Sequence, residues 1–99
     1  MSCYLIAAID IADVETYKLY EQANIEMAKV PQDLEFLAAD ENVLLLEGKL
    51  PGKRVVMVKF DSEEKLKEWY YGAAYQAAAK IRQKAAHTSF VIGVHGFQM

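Results

Sequence analysis

The sequence has 99 residues, 54% of them hydrophobic and 25% charged, which is the composition of one globular domain over residues 1–99 and excludes a disordered chain. The formal net charge of −3, with no run of basic residues, argues against binding to nucleic acid or to a membrane surface. Cys3 is the only cysteine and the first apolar run stops at Asp10, so neither a disulfide framework nor a signal peptide is predicted and we expect a cytoplasmic protein.

The first two predicted elements are a strand and a helix. Residues 3–10 (CYLIAAID) are almost entirely apolar, which is typical of a strand that is buried on both faces. Asp13 then occupies the N-cap position of a helix whose apolar residues recur at helical spacing, and Pro31 ends that helix.

The middle of the sequence predicts two more strands. Residues 33–48 indicate a bent or broken strand with a turn at 40–42, in which residues 43–47 (VLLLE) are the stronger half. A loop with Pro and Gly follows at 49–53, and residues 54–61 (RVVMVKFD) are rich in β-branched side chains and predict the next strand.

The last third predicts a helix and a strand. Ser62 is placed to cap the helix, and the acidic residues that follow it suit the positive end of the helix dipole. Gly72 is expected to bend or break this helix, which continues to Ala86, and residues 89–96 predict the final strand.

The predicted order is β-α-β-β-α-β, which gives an α+β fold: a four-stranded antiparallel sheet with both helices on one face, the ferredoxin-like arrangement. A sheet with one face in water should alternate apolar and polar residues, but these strands are apolar in both alternations. We therefore expect a homodimer in which the bare sheet faces of two copies pack together.

Glu47 and Arg54 flank the loop between the two middle strands. If these strands form a hairpin, the two side chains lie nearly opposite each other and form an ion pair that fixes the register. The alternative is a ligand role, since arginine is well suited to bind a carboxylate.

Arg82 falls on the helical stripe that also carries Tyr75 and several alanines, a face that should be packed. In one interpretation the stem covers apolar surface and the guanidinium reaches water. In the other, the guanidinium points between helix and sheet, where it needs an acidic partner or a bound anion.

Tyr17, Tyr20 and Asn24 share a stripe of the first helix and Tyr75 lies on the second, so they could line a small cavity with polar groups. The alternative is that these rings are simply the core, each hydroxyl having a backbone partner. His87 and His95 lack neighbours at metal-ligand spacing, and no phosphate-binding loop or nucleophile motif is present, so we expect no metal and no cofactor.

The sequence also resembles a known family, the small proteins named domain of unknown function 1330, over nearly the whole chain. The resemblance is carried by LEG (46–48), RVVMVKFDS (54–62) and WYYGAAYQ (69–76) followed by Arg82. Residues 72–74 depart from it, because Gly-Ala-Ala stands where the family has Ser-Pro-Glu.

The resemblance implies a dimeric α/β barrel without an agreed activity. It also pairs the LEG strand end with Arg82, which makes Glu47 the candidate acid for that arginine. Related barrels include cofactor-free monooxygenases, isomerases, haem-dependent enzymes and ligand-sensing domains. The sequence thus leads to two hypotheses: a pocket for a small anionic or aromatic metabolite, with or without cofactor-independent chemistry, or a non-enzymatic interaction or sensing module. The candidate ligand-binding residues are Tyr17, Asn24, Glu47, Arg54, Trp69, Tyr75 and Arg82.

Overall fold

The computed structural model describes residues 1–28 and 34–97. Within these ranges strands and helices follow one another in the order β-α-β-β-α-α-β. The elements are β1 (Cys3–Ile11), α1 (Val14–Ala28), β2 (Leu34–Asp40), β3 (Arg54–Phe60), α2 (Glu63–Tyr71), α3 (Ala73–Ala85) and β4 (Ala86–His95).

The four strands form one antiparallel sheet in the order β2-β3-β1-β4. Leu5 of β1 lies between Val58 of β3 and Gly93 of β4, which fixes the register at the centre of the sheet. The predicted ferredoxin-like arrangement is therefore confirmed, with β2 and β4 as its two edges.

Local signals place the helix boundaries. Asp13 accepts a hydrogen bond from the backbone N–H of Thr16 at 3.1 Å, and Ser62 accepts one from Lys65 at the same distance, so both predicted N-caps are confirmed. The predicted break at Gly72 is also confirmed, since α2 ends before it and α3 begins after it. Pro31, the predicted end of α1, lies outside the described residues.

The predicted strand before β3 lies in the wrong half of residues 33–48. The strand of this region is Leu34–Asp40, whereas residues 43–47 form no strand and expose their leucines. Residues 43–47 are the more hydrophobic half, which is why they were predicted to form the strand. In the structure β3 is already paired along its length with β2, from Leu34 opposite Phe60 to Asp40 opposite Val55. The final strand also begins earlier than predicted, at Ala86.

The two faces of the sheet have different surroundings. Leu5, Ala7 and Ile9 point to the helices, because they pack in the two buried clusters of the core. The alternate residues of a strand point to the opposite side. On that side Ile6 is flanked by Met57 and Ile92, and no helix of the described chain covers them.

Gly52 approaches the backbone of β1 closely. A Cβ added at this position would lie 2.8 Å from the nitrogen and 2.9 Å from the oxygen of Ile9, and backbone atoms cannot move aside as a flexible side chain can. We expect Gly52→Ala to lower the free energy of unfolding by ~1–3 kcal/mol, as overpacking usually does, in a urea titration. Gly96→Ala is the control, because its methyl would meet no atom closer than 3.3 Å. Equal stability of the two variants would contradict the prediction.

Candidate functional site

A cavity of about 440 Å³ lies between the helices and the sheet. It exists because α1 packs chiefly on α3 and leaves space above β1 and β3. Of the predicted ligand-binding residues, six line it: Tyr17, Asn24, Arg54, Trp69, Tyr75 and Arg82. Glu47 does not line it and is exposed in the loop before β3.

Arg82 lies at the buried end of a polar network. Its side chain is only 4% exposed, and its Nη1 donates a hydrogen bond of 2.6 Å to the hydroxyl of Tyr75. That hydroxyl is 2.9 Å from the hydroxyl of Tyr20, and the Arg82 guanidinium lies over the Tyr20 ring at 5.9 Å from its centroid. The interpretation in which Arg82 points between helix and sheet is thus the one that the structure bears out.

The predicted acidic partner of Arg82 is wrong. Glu47 is exposed in the loop before β3, and no carboxylate of the described residues lies within 4.0 Å of the Arg82 nitrogens. Burial disfavours the charge of Arg82, but the nearby hydroxyls of Tyr75 and Tyr20 outweigh burial and raise its pKa. The guanidinium therefore stays charged, held by phenols and rings and not by an acid.

Arg54 occupies a different position in the same cavity. It donates to Glu41 at 2.9 Å and to Glu21 at 3.5 Å, and it lies over the Tyr17 ring at 5.8 Å from the centroid. The predicted Glu47–Arg54 ion pair is wrong, because Asp40 pairs with Val55 and the sheet register brings Glu41 beside Arg54. The positive charge of Arg54 is thus balanced within the protein.

Three buried polar atoms of the lining residues have no hydrogen-bond partner in the described chain. They are the Nε of Arg54, the Nε of Arg82 and the Oδ1 of Asn24. Buried polar groups are normally paired, and an unpaired one costs about 1–3 kcal/mol. All three atoms are buried, and the residues that carry them line one cavity, so two donors and one acceptor are left unpaired beside it.

The apolar part of the wall combines aliphatic side chains of the sheet with five aromatic ones. The Trp69 and Tyr75 rings lie 4.2 Å apart with their planes 33° from parallel, and Phe60 packs against Trp69 from the sheet side. Tyr17 and Tyr20 lie about one turn apart on the same face of α1, with ring centroids 5.3 Å apart. Such rings offer flat surfaces to a flat ligand and hold the hydroxyl network in place.

Burial changes the acidity of the phenols. It raises the pKa of Tyr17 to about 12, and it raises the pKa of Tyr75 further, with the neighbouring Tyr20 adding to the effect. Both hydroxyls therefore stay protonated at neutral pH and are poor bases.

The raised pKa values predict an alkaline loss of stability. Below pH 10 the phenols are protonated in both states, so their contribution is fully present. Above pH 10 the unfolded chain ionises while Tyr17 stays protonated in the folded protein up to about pH 12. The free energy of unfolding then falls by up to ~1.4 kcal/mol per pH unit for each such phenol. Urea titrations from pH 9 to 11 should show this slope, reduced in Tyr17→Phe and unchanged in the exposed control Tyr71→Phe; equal slopes in both variants would contradict it.

Among the lining residues that were not predicted are Glu21, Ile25 and Phe36. Glu21 and Ile25 lie on α1, four and eight positions after Tyr17, so helical spacing places them on the same side of the helix; a stripe drawn only through Tyr17, Tyr20 and Asn24 missed them. Phe36 belongs to β2, the strand that the sequence pattern undervalued.

Metal-ligand clusters and membrane-spanning helices were both sought in the described residues. No group of three potential metal-ligating side chains occurs in residues 1–28 and 34–97. Within these ranges no helix is long and apolar enough to cross a membrane.

Comparison with solved structures shows the same fold in several proteins. A protein of unknown function from Rhodopseudomonas palustris aligns with a TM-score of 0.70 at 15% identity, covering 99% of this chain and 84% of that one. SnoaB, a cofactor-independent oxygenase from Streptomyces nogalater, aligns with a TM-score of 0.65 at 10% identity, covering 99% and 95%. A dimeric ferredoxin-like protein of unknown function from Thermobifida fusca aligns with a TM-score of 0.64 at 16% identity, covering 95% and 88%.

The sequence comparison is more specific than the fold. No curated protein matches the chain. The family model described as "Domain of unknown function (DUF1330)" matches residues 2–97, which confirms the resemblance seen in the sequence motifs. The chain therefore belongs to the DUF1330 family.

Proposed function

We propose that this protein binds a small organic anion with a flat, apolar body in the cavity between helices and sheet, and that Arg82 binds the anionic group. The observation that carries the proposal is the burial of the Arg82 guanidinium with no acid beside it in the described chain. A buried charge without a counter-ion is costly, so a site that keeps one is suited to a ligand of opposite charge.

A carboxylate fits the polar groups of this wall. It only accepts hydrogen bonds, and the free Nε of Arg82 is a donor that lacks an acceptor. Arg54 is a weaker candidate for the same role, because Glu21 and Glu41 already neutralise it. The unpaired Oδ1 of Asn24 is an acceptor and would suit a hydroxyl on the same ligand.

An aromatic body fits the remainder of the cavity. The rings of Trp69, Tyr75 and Tyr17 line it, and Ile25 and Phe36 border the cavity on the sides of α1 and β2. The volume of about 440 Å³ lies within the range of sites for small molecules.

Two functions are compatible with such a ligand. Cofactor-independent oxygenation or isomerisation has support only from the fold of SnoaB, which is an analogy and assigns no residue. Binding without chemistry, as in a ligand-sensing module, is supported by Tyr75, because burial raises the pKa of its hydroxyl, which is hydrogen-bonded to that of Tyr20 and offers no ready base. The second function is therefore the better supported of the two.

We also propose that a second copy of the chain covers the open face of the sheet. Ile6, Met57 and Ile92 lie side by side on that face and no helix covers them in the described chain. A similar fold from Thermobifida fusca is described as dimeric. An apolar face of this kind is typical of an interface between identical subunits.

The ligand proposal is tested with a matched pair of probes that differ in charge. We expect 1-naphthoate to raise the melting temperature and 1-naphthamide, which has the same ring system and no charge, to have little effect. At a concentration of a hundred times the Kd the carboxylate should add about 2.7 kcal/mol to the free energy of unfolding. Equal shifts of the melting temperature with both probes would count against an anion site. So would the absence of any shift with 1-naphthoate and with a panel of other aromatic acids.

A further inference from the structure

Between β2 and β3 the chain carries a run of exposed apolar residues, Val43–Leu46, which we call the leucine arm. Leu44 and Leu46 are 79% and 82% exposed, whereas Leu45 between them is 47% exposed. This alternation has the period of a strand, whose successive side chains point to opposite sides. Three adjacent leucines in contact with water are unusual on the surface of a monomer.

The backbone of the leucine arm is as unpartnered as its side chains. Within the described chain, its N–H and C=O groups take part in no sheet pairing and in no other backbone hydrogen bond. A segment with strand-like alternation and free backbone groups is suited to pair with the edge of another sheet.

Both ends of the connecting segment are fixed to the body of the protein. At the start, Glu41 accepts a hydrogen bond from Arg54 at 2.9 Å. At the end, the backbone N–H of Lys53 donates to Asp10 at 2.9 Å, and the carbonyl of Pro51 accepts from the Ser89 hydroxyl. The leucine arm is therefore presented from two fixed points, which lowers the entropy that it loses on docking.

We propose that the leucine arm of one subunit adds as a strand to the free edge of β4 in a second copy of the chain. This inference rests on the proposed dimer and assigns the arm a place in it. Among the strands that the structure describes, β4 pairs with β1 alone, so its other edge has no partner there. Ile92 and Val94, in the second half of β4, are 44% and 42% exposed and supply apolar side chains for the arm.

The geometry of the sheet favours a second copy over another partner. The arm leaves the sheet at β2, one edge, and β4 is the opposite edge. When two such sheets pack face to face about a two-fold axis parallel to the strands, β2 of one lies beside β4 of the other. Each arm then reaches the partner's β4 edge, both edges are covered, and the contact closes without leaving a free edge.

The test combines an arm variant with a matched surface control. The variant Leu44→Asp/Leu46→Asp removes two leucines from each subunit, and therefore four from a symmetric dimer interface. We expect the dimer dissociation constant to rise at least about a hundredfold, measured by sedimentation or light scattering over a dilution series. Leu19→Asp, at a position of α1 that is 61% exposed, should leave the constant unchanged. Circular dichroism of both variants should match that of the unaltered chain.

Hydrogen exchange supplies the second measurement. In the dimer, the amides of 43–47 and of β4 should exchange at least tenfold more slowly than in the dissociated arm variant. If the unaltered chain is a monomer, the dimer proposal and the arm proposal fail together. If it is a dimer and the arm variant dimerises equally well, or residues 43–47 exchange at the rate of an unstructured segment, the arm proposal alone is overturned.

Discussion

Replacing Arg82 by methionine is expected to abolish the preference for anionic ligands while leaving the protein folded. Methionine keeps the length and apolar contacts of the stem and removes the charge. Removing one side of a buried charge pair costs ~2 kcal/mol or more in binding, which is a loss of about thirtyfold in affinity for 1-naphthoate. Binding of 1-naphthamide should change little, and isothermal calorimetry with both probes measures the difference.

The same substitution should not destabilise the free protein. Because no carboxylate of the described chain pairs with Arg82, its removal leaves no acid unpaired. The Tyr75 hydroxyl keeps its contact with Tyr20. Apolar replacement of a buried ionic group is often neutral or stabilising, so we expect the free energy of unfolding to stay the same or rise by ~1–2 kcal/mol.

Arg54→Met is the matched control for charge and cavity position. It removes an arginine whose charge Glu21 and Glu41 already balance. We expect a smaller loss of affinity than in Arg82→Met. An Arg82→Met protein that unfolds readily, or that binds both probes like the unaltered chain, would contradict the role given to Arg82.

Ile92→Glu is expected to convert the dimer to a monomer. Ile92 lies beside Ile6 on the open sheet face, so the two-fold axis brings two new carboxylates into one apolar interface. A buried charge without a partner costs several kcal/mol, which exceeds what a small interface can absorb. Light scattering at micromolar concentration measures the mass, and Leu19→Glu on α1 is the control. A dimeric Ile92→Glu protein would show that the sheet face is not the interface.

The sequence predicted the helix side of the site well because its signals are local. Arg82, Tyr75 and the alanines between them follow from helical spacing, and these small side chains are buried where α3 packs on α1. Tyr17 and Asn24 follow from the stripe of α1 in the same way. The N-caps Asp13 and Ser62 and the break at Gly72 depend on neighbouring residues only, and the structure has all three.

The strand side of the site was less predictable because pairing is decided between distant residues. The three leucines of 43–47 suggested a buried strand, yet β2 runs from Leu34 to Asp40 and exposes most of its side chains. That choice moved the partner of Arg54 from Glu47 to Glu41. Hydrophobicity alone cannot tell whether an apolar segment pairs within its own chain or, as we infer for the leucine arm, with a second copy.

The charge state of the cavity is likewise a property of the fold. Sequence spacing gave no signal that Glu21 of α1 lies 3.5 Å from Arg54 of β3, or that Arg82 has no acid near it. These two facts together distinguish the arginine that is neutralised from the one that we propose binds a ligand.

The most direct measurement of the central claim is the nuclear magnetic resonance signal of the Arg82 side chain. In the free protein its buried Nε has no partner in the described chain. We expect the Nε–H cross-peak, identified by its absence in Arg82→Met, to shift progressively on titration with 1-naphthoate and to stay in place with 1-naphthamide. A cross-peak that does not move when the carboxylate saturates the protein would contradict an anion site at Arg82.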